Sequence, residues 1–459
     1  MTPPTTVSDP RATALATPAP GGSVAVVLRP LLERLFGGPV PVRVRAWDGS
    51  TVGPGHGTTV VLHSPLALRR LLWAPGELGL CRAYVAGDLD IEGEVFDVLD
   101  LRDDLPASPD GDVQVGFGVR HLPQLWRTAQ RLGAVGAPPP LPPEEARLRG
   151  WRHGRQRDAE AISHHYDVGN DFYRLVLGPS LTYSCAYWAD DAFDLADAQA
   201  AKYELISRKL DLKPGMRLLD IGCGWGGMVL HAAQHHGVEA VGITLSREQA
   251  ALARDRVAAA GLADRIQIRL QDYRDVVDGP FDAVSSIGMF EHVGLAKVEE
   301  YFRDIHGLLR PGARVLNHAI SRPSPVGRSA ISSRSFMGRY VFPDAELIEV
   351  GQVVTAMQRN GLEVRDLESL REHYARTLRA WVDDLEQDWD RAQRLVGPAR
   401  ARVWRLYMAA SALGFEQNRI AIHQVLGVRT GEGGASGIPA TRAYLDLEHP
   451  SPRADQPRA

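Results

Sequence analysis

The stretch Leu218–Gly227 reads LLDIGCGWGG, an apolar run closed by the acid Asp220 and followed by glycines at 222, 224, 226 and 227. Glycines in such a place let the backbone come close to a ligand, and a helix starting behind them offers free N–H groups. A purely structural tight turn uses the same pattern, so the neighbouring residues must separate the two readings. A loop built around two phosphates avoids a carboxylate at its entrance, whereas Asp220 suits a ligand bearing an ammonium group, such as the methionine part of S-adenosylmethionine (SAM). About twenty residues on, where a dinucleotide-binding unit carries an acid for the ribose hydroxyls, the next apolar run ends instead at Thr244. Gln249 follows, either as a ribose contact or as the partner of Ser246 in the spacing of a capping box. Asp272, in QDYRD, is either an acceptor for an adenine amine or an ordinary loop aspartate.

Residues of this kind have to sit at strand ends and helix starts. Apolar runs predict strands at Arg217–Gly222, Val238–Leu245, Phe281–Met289 and Ala313–Ile320, and Arg247–Gly261 reads as a crossover helix with Ser246 as its N-cap. Strands and helices alternate from Asp158 onward, which predicts an α/β fold: a Rossmann-like, doubly wound parallel sheet over residues 158–430. Ahead of it, helical spacing at Ser23–Phe36 and alternating runs at Val40–Trp47 and Thr58–His63 predict a smaller N-terminal mixed α/β domain over 23–132. Residues 1–22 read as a disordered lead-in and 431–459 as a loop-like tail. The linker 133–157 begins GAVGAPPPLPP, which cannot continue a helix, and ends in arginines at 147, 149, 152, 155 and 157 around Trp151. That basic run is either a solvated helix start or a patch for lipid headgroups.

Composition narrows the class. The 459 residues are 44% hydrophobic and 24% charged, as in a globular protein, and no apolar run is long enough to span a bilayer. The Pro- and Thr-rich N-terminus lacks the plan of a secretory signal, so a cytoplasmic location is expected. A net charge of −4 gives no overall pull toward nucleic acid or anionic membrane. Cys81, Cys185 and Cys223 are widely spaced and odd in number, which suits reduced thiols and offers no metal pair.

The segments HHYDVGNDFY (164–173), LTYSCAYW (181–188), LLDIGCGWGG, QDYRD, GMFEHVG (288–294) and HYARTLRAW (373–381), in that order, resemble the cyclopropane-fatty-acyl-phospholipid synthase family, which includes the mycolic acid cyclopropane synthases. The resemblance spans roughly residues 158–427, and LGLCRAYVAGDL (78–89) extends it into the N-terminal domain. It implies a SAM-dependent methyltransferase acting on the double bond of an unsaturated acyl chain in a membrane phospholipid. It assigns Tyr183, Ser184, Gly222, Gly224, Thr244, Leu245, Gln249, Asp272 and Tyr273 to SAM, beside Asp220. It also implies a bicarbonate ion held by Cys185, Glu291, His318, Ile320 and Tyr374, with Cys185 and Ile320 acting through backbone groups.

An alkene is a poor nucleophile, so the acyl chain must lie in line with the methyl in a dry, apolar tunnel. Methyl addition leaves a carbocation on the chain, which aromatic faces stabilise and a base quenches. Tyr183, Tyr187, Trp188, Phe290 and Tyr374 are the aromatic candidates, each with core packing as its alternative. If the added methyl loses its proton directly, the product is a cyclopropane; if a hydride shifts first, it is an exocyclic methylene. RYVFPDAEL (339–347) and VWRLYMAASALGFEQNRIAIHQVLGV (403–428) resemble the tuberculostearic-acid branch, which makes 10-methylene acyl phospholipid. The resemblance further implies a peripheral enzyme at the inner face of the membrane, a reductase as partner to saturate the methylene, and a homodimer as one assembly. Rival readings are a methyltransferase of a small soluble acceptor, which the N-terminal domain argues against, and a lipid-binding module without catalysis, which leaves the glycine loop without a purpose.

Overall fold

The computed structural model describes residues 22–101, 122–145, 168–324, 331–332, 335–343 and 345–445. The chain divides into two compact units at Glu144/Glu145, inside the stretch expected as a linker.

In the first unit, helix α1 (Val24–Leu35) follows Ser23, and strands β1 (Arg43–Arg45), β2 (Thr51–Val52), β3 (Thr59–Leu62) and β4 (Leu89–Glu92) form a sheet of order β2-β1-β3-β4. Helices α2 (Pro65–Trp73) and α3 (Glu77–Val85) bridge β3 to β4, and α4 (Val95–Asp100) and α5 (Leu122–Arg131) come after. The Pro-rich stretch is tied down rather than loose. Arg69 donates to the carbonyls of Gly133, Ala134 and Val135, Arg70 to that of Pro140, and the Trp73 indole to that of Gly136. A stretch this rich in proline offers few N–H groups, but its carbonyls remain strong acceptors, and three side chains of α2 satisfy five of them.

The second unit is built on a seven-stranded sheet of order β10-β11-β9-β8-β5-β6-β7. Its strands are β5 (Arg217–Ile221), β6 (Glu239–Thr244), β7 (Ile266–Leu270), β8 (Phe281–Ile287), β9 (Leu309–Ser321), β10 (Leu362–Ser369) and β11 (Ala421–Arg429). Strands β5 to β9 pair in parallel, and β11 runs antiparallel to both β9 and β10. Side chains alternate between two cores, as a sheet covered on both faces requires. Leu219, Val284 and Val315 face the core shared with α10 (Val298–Leu308) and α11 (Val350–Arg359). Leu218, Ala283 and Leu316 face the core shared with α7 (Leu195–Leu210), α8 (Gly227–His236) and α9 (Arg247–Ala259). Among the described residues the unit also has helices α6 (Asn170–Leu177), α12 (Arg371–Gln387), α13 (Trp389–Val396) and α14 (Pro398–Glu416). Strand order reverses between β5 and β8, and open α/β sheets place ligands beyond the carboxyl ends of the strands at such a switch point. Among the described residues, no helix is long and apolar enough to cross a membrane.

Candidate active site

The glycine loop leaves β5 at that switch point. The N–H groups of Gly222 and Cys223 both donate to the carbonyl of Ile243, at 3.0 and 2.9 Å, which folds the loop back against β6. Gly222, Gly224 and Gly226 have φ of +80°, +54° and +82°, where a side chain is strained. Their surroundings differ. A Cβ on Gly222 would lie 2.9 Å from Met289 Cβ, and one on Gly227 2.2 Å from Tyr203 Oη, so close packing demands both glycines. A Cβ on Gly224 would meet nothing within 4 Å, because this residue borders a cavity.

Every residue expected at SAM lines that one cavity: Tyr183, Ser184, Asp220, Gly222, Gly224, Thr244, Leu245, Gln249, Asp272 and Tyr273. Asp220, only 2% exposed, accepts from Ser285 Oγ at 2.7 Å, and burial pushes its carboxyl up to about 6 against the pull of Ser285 and Lys202. The Ser246–Gln249 pair forms half a capping box. Ser246 Oγ accepts from the Gln249 N–H at 3.2 Å, but the Gln249 side chain turns away, its Oε1 accepting from Thr244 Oγ1 at 2.8 Å. Gln249 thus serves the helix with its backbone and the cavity wall with its amide. Asp272 also does two jobs: it caps the short turn Tyr273–Asp275 through the Arg274 N–H at 3.0 Å, and it pairs with the Arg274 guanidinium.

The five residues expected at bicarbonate do not line that cavity but are tied to one another by a second set of contacts. Glu291 Oε1 accepts from the Ile320 N–H at 2.7 Å, and His318 lies on the same face of β9 as Ile320. Ile422 of β11 stands opposite Ile320, and its carbonyl accepts from the Leu370 N–H at 3.0 Å. Leu370 then gathers the other two: its carbonyl accepts from the Tyr374 N–H at 3.0 Å and from Cys185 Sγ at 3.7 Å. Burial drives the Cys185 thiol far up, so it stays protonated. Burial likewise raises Glu291 to about 7 and, with Lys202 and Lys209 adding like charge, holds His318 well below its ordinary value. With Gln424 Nε2 donating to His318 Nδ1 at 3.1 Å, the proton of the neutral ring sits on Nε2. Among the described residues, His318 Nε2 and Glu291 Oε2 are both buried and without a partner. Buried polar atoms without a partner are rare in a folded interior, and two of them in this group suit a polar guest.

Between the two groups stands a residue that sequence reading missed. Lys202, fully buried on α7, donates to Ser184 Oγ at 2.8 Å and lies 4.1 Å from the Tyr203 ring centroid. Burial lowers its ammonium to about 7. The signal was available: Lys202 falls at helical spacing among Ala198, Leu205 and Ile206, in the middle of an apolar stripe.

The aromatic candidates separate. Tyr183 packs on Trp381 and Trp404 with ring centroids 5.4 and 5.7 Å apart, its hydroxyl donating to Tyr407 Oη at 2.8 Å, and Tyr374 meets Trp381 at 6.0 Å. A continuous aromatic wall thus runs from the cavity to Tyr374, and Trp381, Trp404 and Tyr407 join it unforeseen. Phe290, by contrast, packs into the core on Tyr301 and Phe302. Tyr187 stacks on His373, and Trp188 donates its indole N–H to Thr377 beneath the Arg376 guanidinium.

The model of the family described as "Mycolic acid cyclopropane synthetase" matches residues 153–425. The chain is 45% identical over 417 residues to a probable fatty acid methyltransferase of Mycobacterium tuberculosis, covering 87% of this chain and 93% of that one. It is 32% identical over 404 residues to the tuberculostearic acid methyltransferase of the same organism, covering 85% and 88%. Its fold matches the crystal structure of a mycolic acid cyclopropane synthase complexed with SAH and CTAB, with a TM-score of 0.55 and 32% identity over 59% of this chain and 98% of that one.

Proposed function

The chain belongs to the mycolic acid cyclopropane synthetase family, and on that premise we propose that this SAM-dependent methyltransferase methylates the double bond of an unsaturated, oleoyl-type acyl chain in a membrane phospholipid and leaves a 10-methylene chain. The observation that carries the reading is the cavity at the strand-order reversal, around which all ten expected residues meet. SAM, when bound, supplies an electrophilic methyl group. The residues fit it: Gly224 leaves open space where a side chain would intrude, the buried carboxyl of Asp220 would hold its ammonium, and Thr244 and Gln249 would hold its ribose hydroxyls. Likeness to a fatty acid methyltransferase and to the tuberculostearic acid methyltransferase over more than four fifths of the chain supports the acyl substrate and the methylene product.

The group around Glu291 supports an anionic base, for which bicarbonate fits. A carboxyl raised to about 7 can share a proton with a bound anion, and the His318 Nε2–H can donate to it. The aromatic wall from Tyr183 to Tyr374 excludes water and presents ring faces to positive charge developing on the acyl chain. A cyclopropane product is the second reading, favoured by the likeness to the cyclopropane synthase structure; the same residues serve both outcomes.

We further propose work at the inner membrane face, with a reductase to saturate the methylene. The basic run 147–157 falls outside the described residues. Helix α5, with the exposed side chains of Trp126, Arg127 and Arg131, suits docking at a headgroup layer. The test is expression of the full chain in cells that make oleate, followed by analysis of phospholipid acyl chains. Both products add one CH2 and share a mass, so ozonolysis, which cleaves an exocyclic alkene and spares the ring, distinguishes them. Acyl chains without added carbon, despite tight SAM binding, would remove the lipid substrate from the reading.

A further inference from the structure

Remote from the Glu291 group, α7 and α8 bring three ligating side chains to one point. Glu204 Oε2 lies 3.3 Å from His231 Nε2 and 2.9 Å from His236 Nε2, and all three atoms lie within 4.8 Å of one another. The other carboxylate oxygen, Oε1, accepts from Arg208 Nε at 2.8 Å, one turn along α7. None of the three lines the cavity or belongs to the base-holding group, so neither proposed role explains them.

We propose that Glu204, His231 and His236 form a binding site for a divalent transition-metal ion of the zinc type. Two imidazoles and a carboxylate are a donor set that zinc accepts with a fourth position left to water. With bonds of about 2.0–2.1 Å, ligand atoms around a tetrahedral zinc stand about 3.3 Å apart. The His231 contact already has that spacing, and His236 needs to withdraw by only about 0.4 Å to reach it. Arg208 orients the carboxylate through one oxygen and leaves the other for the ion, the usual arrangement of a supported ligand. The side chains are 27%, 13% and 18% exposed for Glu204, His231 and His236, held by packing yet reachable from solvent. His236 closes α8, whose last turn carries partial negative charge and favours a cation.

The ion would pin the two helices that shape the cavity wall. Tyr203, next to Glu204, lines the cavity and packs its ring 5.8 Å from that of His231. Gly227, where α8 starts, is held glycine by that same tyrosine.

The full chain, stripped with a chelator, is titrated with ZnCl2 by calorimetry. The parent is expected to take up one equivalent that His236→Ala and Glu204→Gln each weaken by about tenfold or more. His235→Ala is expected to keep it, since that ring, 4.5 Å from His231, lies outside the trio. MgCl2 should give no comparable heat, because an imidazole-rich set is poor for magnesium. Saturating zinc should raise the thermal midpoint of the parent and not that of His236→Ala. X-ray absorption at the zinc edge of the parent alone should count two imidazoles. Equal zinc affinity in the parent and both trio variants, or sulfur in the coordination shell, overturns the site. So does loss of the equivalent in His235→Ala.

Discussion

Glu291→Gln should make the ligand-free protein more stable while it disables the reaction. The substitution preserves shape and keeps an acceptor for the Ile320 N–H, and it leaves one unpartnered atom where the parent also has one. What it removes is a buried charge. Burial raises the Glu291 carboxyl from 4.5 to about 7, so the neutral form is the one the fold prefers. A carboxyl raised in the folded state contributes its stability fully below the unfolded value and loses it as pH climbs through the folded one. At about 1.4 kcal/mol per pH unit, the interval from 4.5 to about 7 amounts to about 3 kcal/mol. The variant carries none of this loss. Denaturant midpoints of parent and Gln variant, measured on the full chain from pH 5 to 8, should therefore diverge as pH rises and run parallel above about 7. Turnover on oleoyl lipid vesicles should fall by about 10²-fold or more, the range for losing a group that orients a general base, with SAM affinity unchanged. A Gln variant no more stable than the parent at pH 8 would refute the electrostatic reasoning. Undiminished turnover would refute the role.

Gly224→Val should lose SAM binding in calorimetry, because its Cβ enters open space beside the cavity, at some cost in stability from the positive φ. Gly222→Ala should instead lower the thermal midpoint through its clash with Met289; a folded Gly224→Val that binds SAM like the parent removes the loop from the site. Lys202→Met keeps volume and deletes the donor to Ser184, so SAM affinity should drop by about tenfold, as for a lost charge-assisted hydrogen bond; unchanged affinity would make Lys202 a structural residue. Charge reversal at Arg147, Arg149 and Arg152 should weaken sedimentation with anionic vesicles by about 1 kcal/mol per residue at low salt and leave SAM binding alone; a triple variant that sediments like the parent ends that docking surface.

The parallel half of the sheet was legible because its signals are local. Asp220 and its glycines are adjacent in sequence, and Thr244 and Gln249 lie within one strand-to-helix turn, so residue type and short spacing carried them. Strand β9 runs from Leu309, four residues before the expected start, because Leu309 already pairs with Phe281 and the exposed Arg310–Gly312 forms an irregularity before pairing resumes at Arg314. The antiparallel edge left less trace. Gln424 reaches His318 only through the register of β11 on β9, a relation across more than a hundred residues that no window of sequence contains. Helix α14 is buried almost all round, so its apolar residues show no stripe, and Trp404 and Tyr407 could not be told from core. Lys202 and Lys209 of α7 are both fully buried, a place lysine seldom takes, so residue type alone does not put them inside.

Those buried charges are the physical cost of the site. Asp220, Lys202 and Glu291 are each withdrawn from water with incomplete compensation, and burial drives all three toward titration between about 6 and 7. A chain selected for stability alone would fill these positions with apolar residues of similar volume. Their placement follows the chemistry instead. Asp220 lines the cavity, Glu291 belongs to the group proposed to hold the anion, and Lys202 lies within electrostatic reach of Asp220, Cys185 and His318. Because each ionised form is destabilised without a partner, a guest of opposite charge or a shared proton gains more there than it would in water. The same burial that costs stability in the empty protein would strengthen its hold on an ammonium-bearing co-substrate and on the proposed anion.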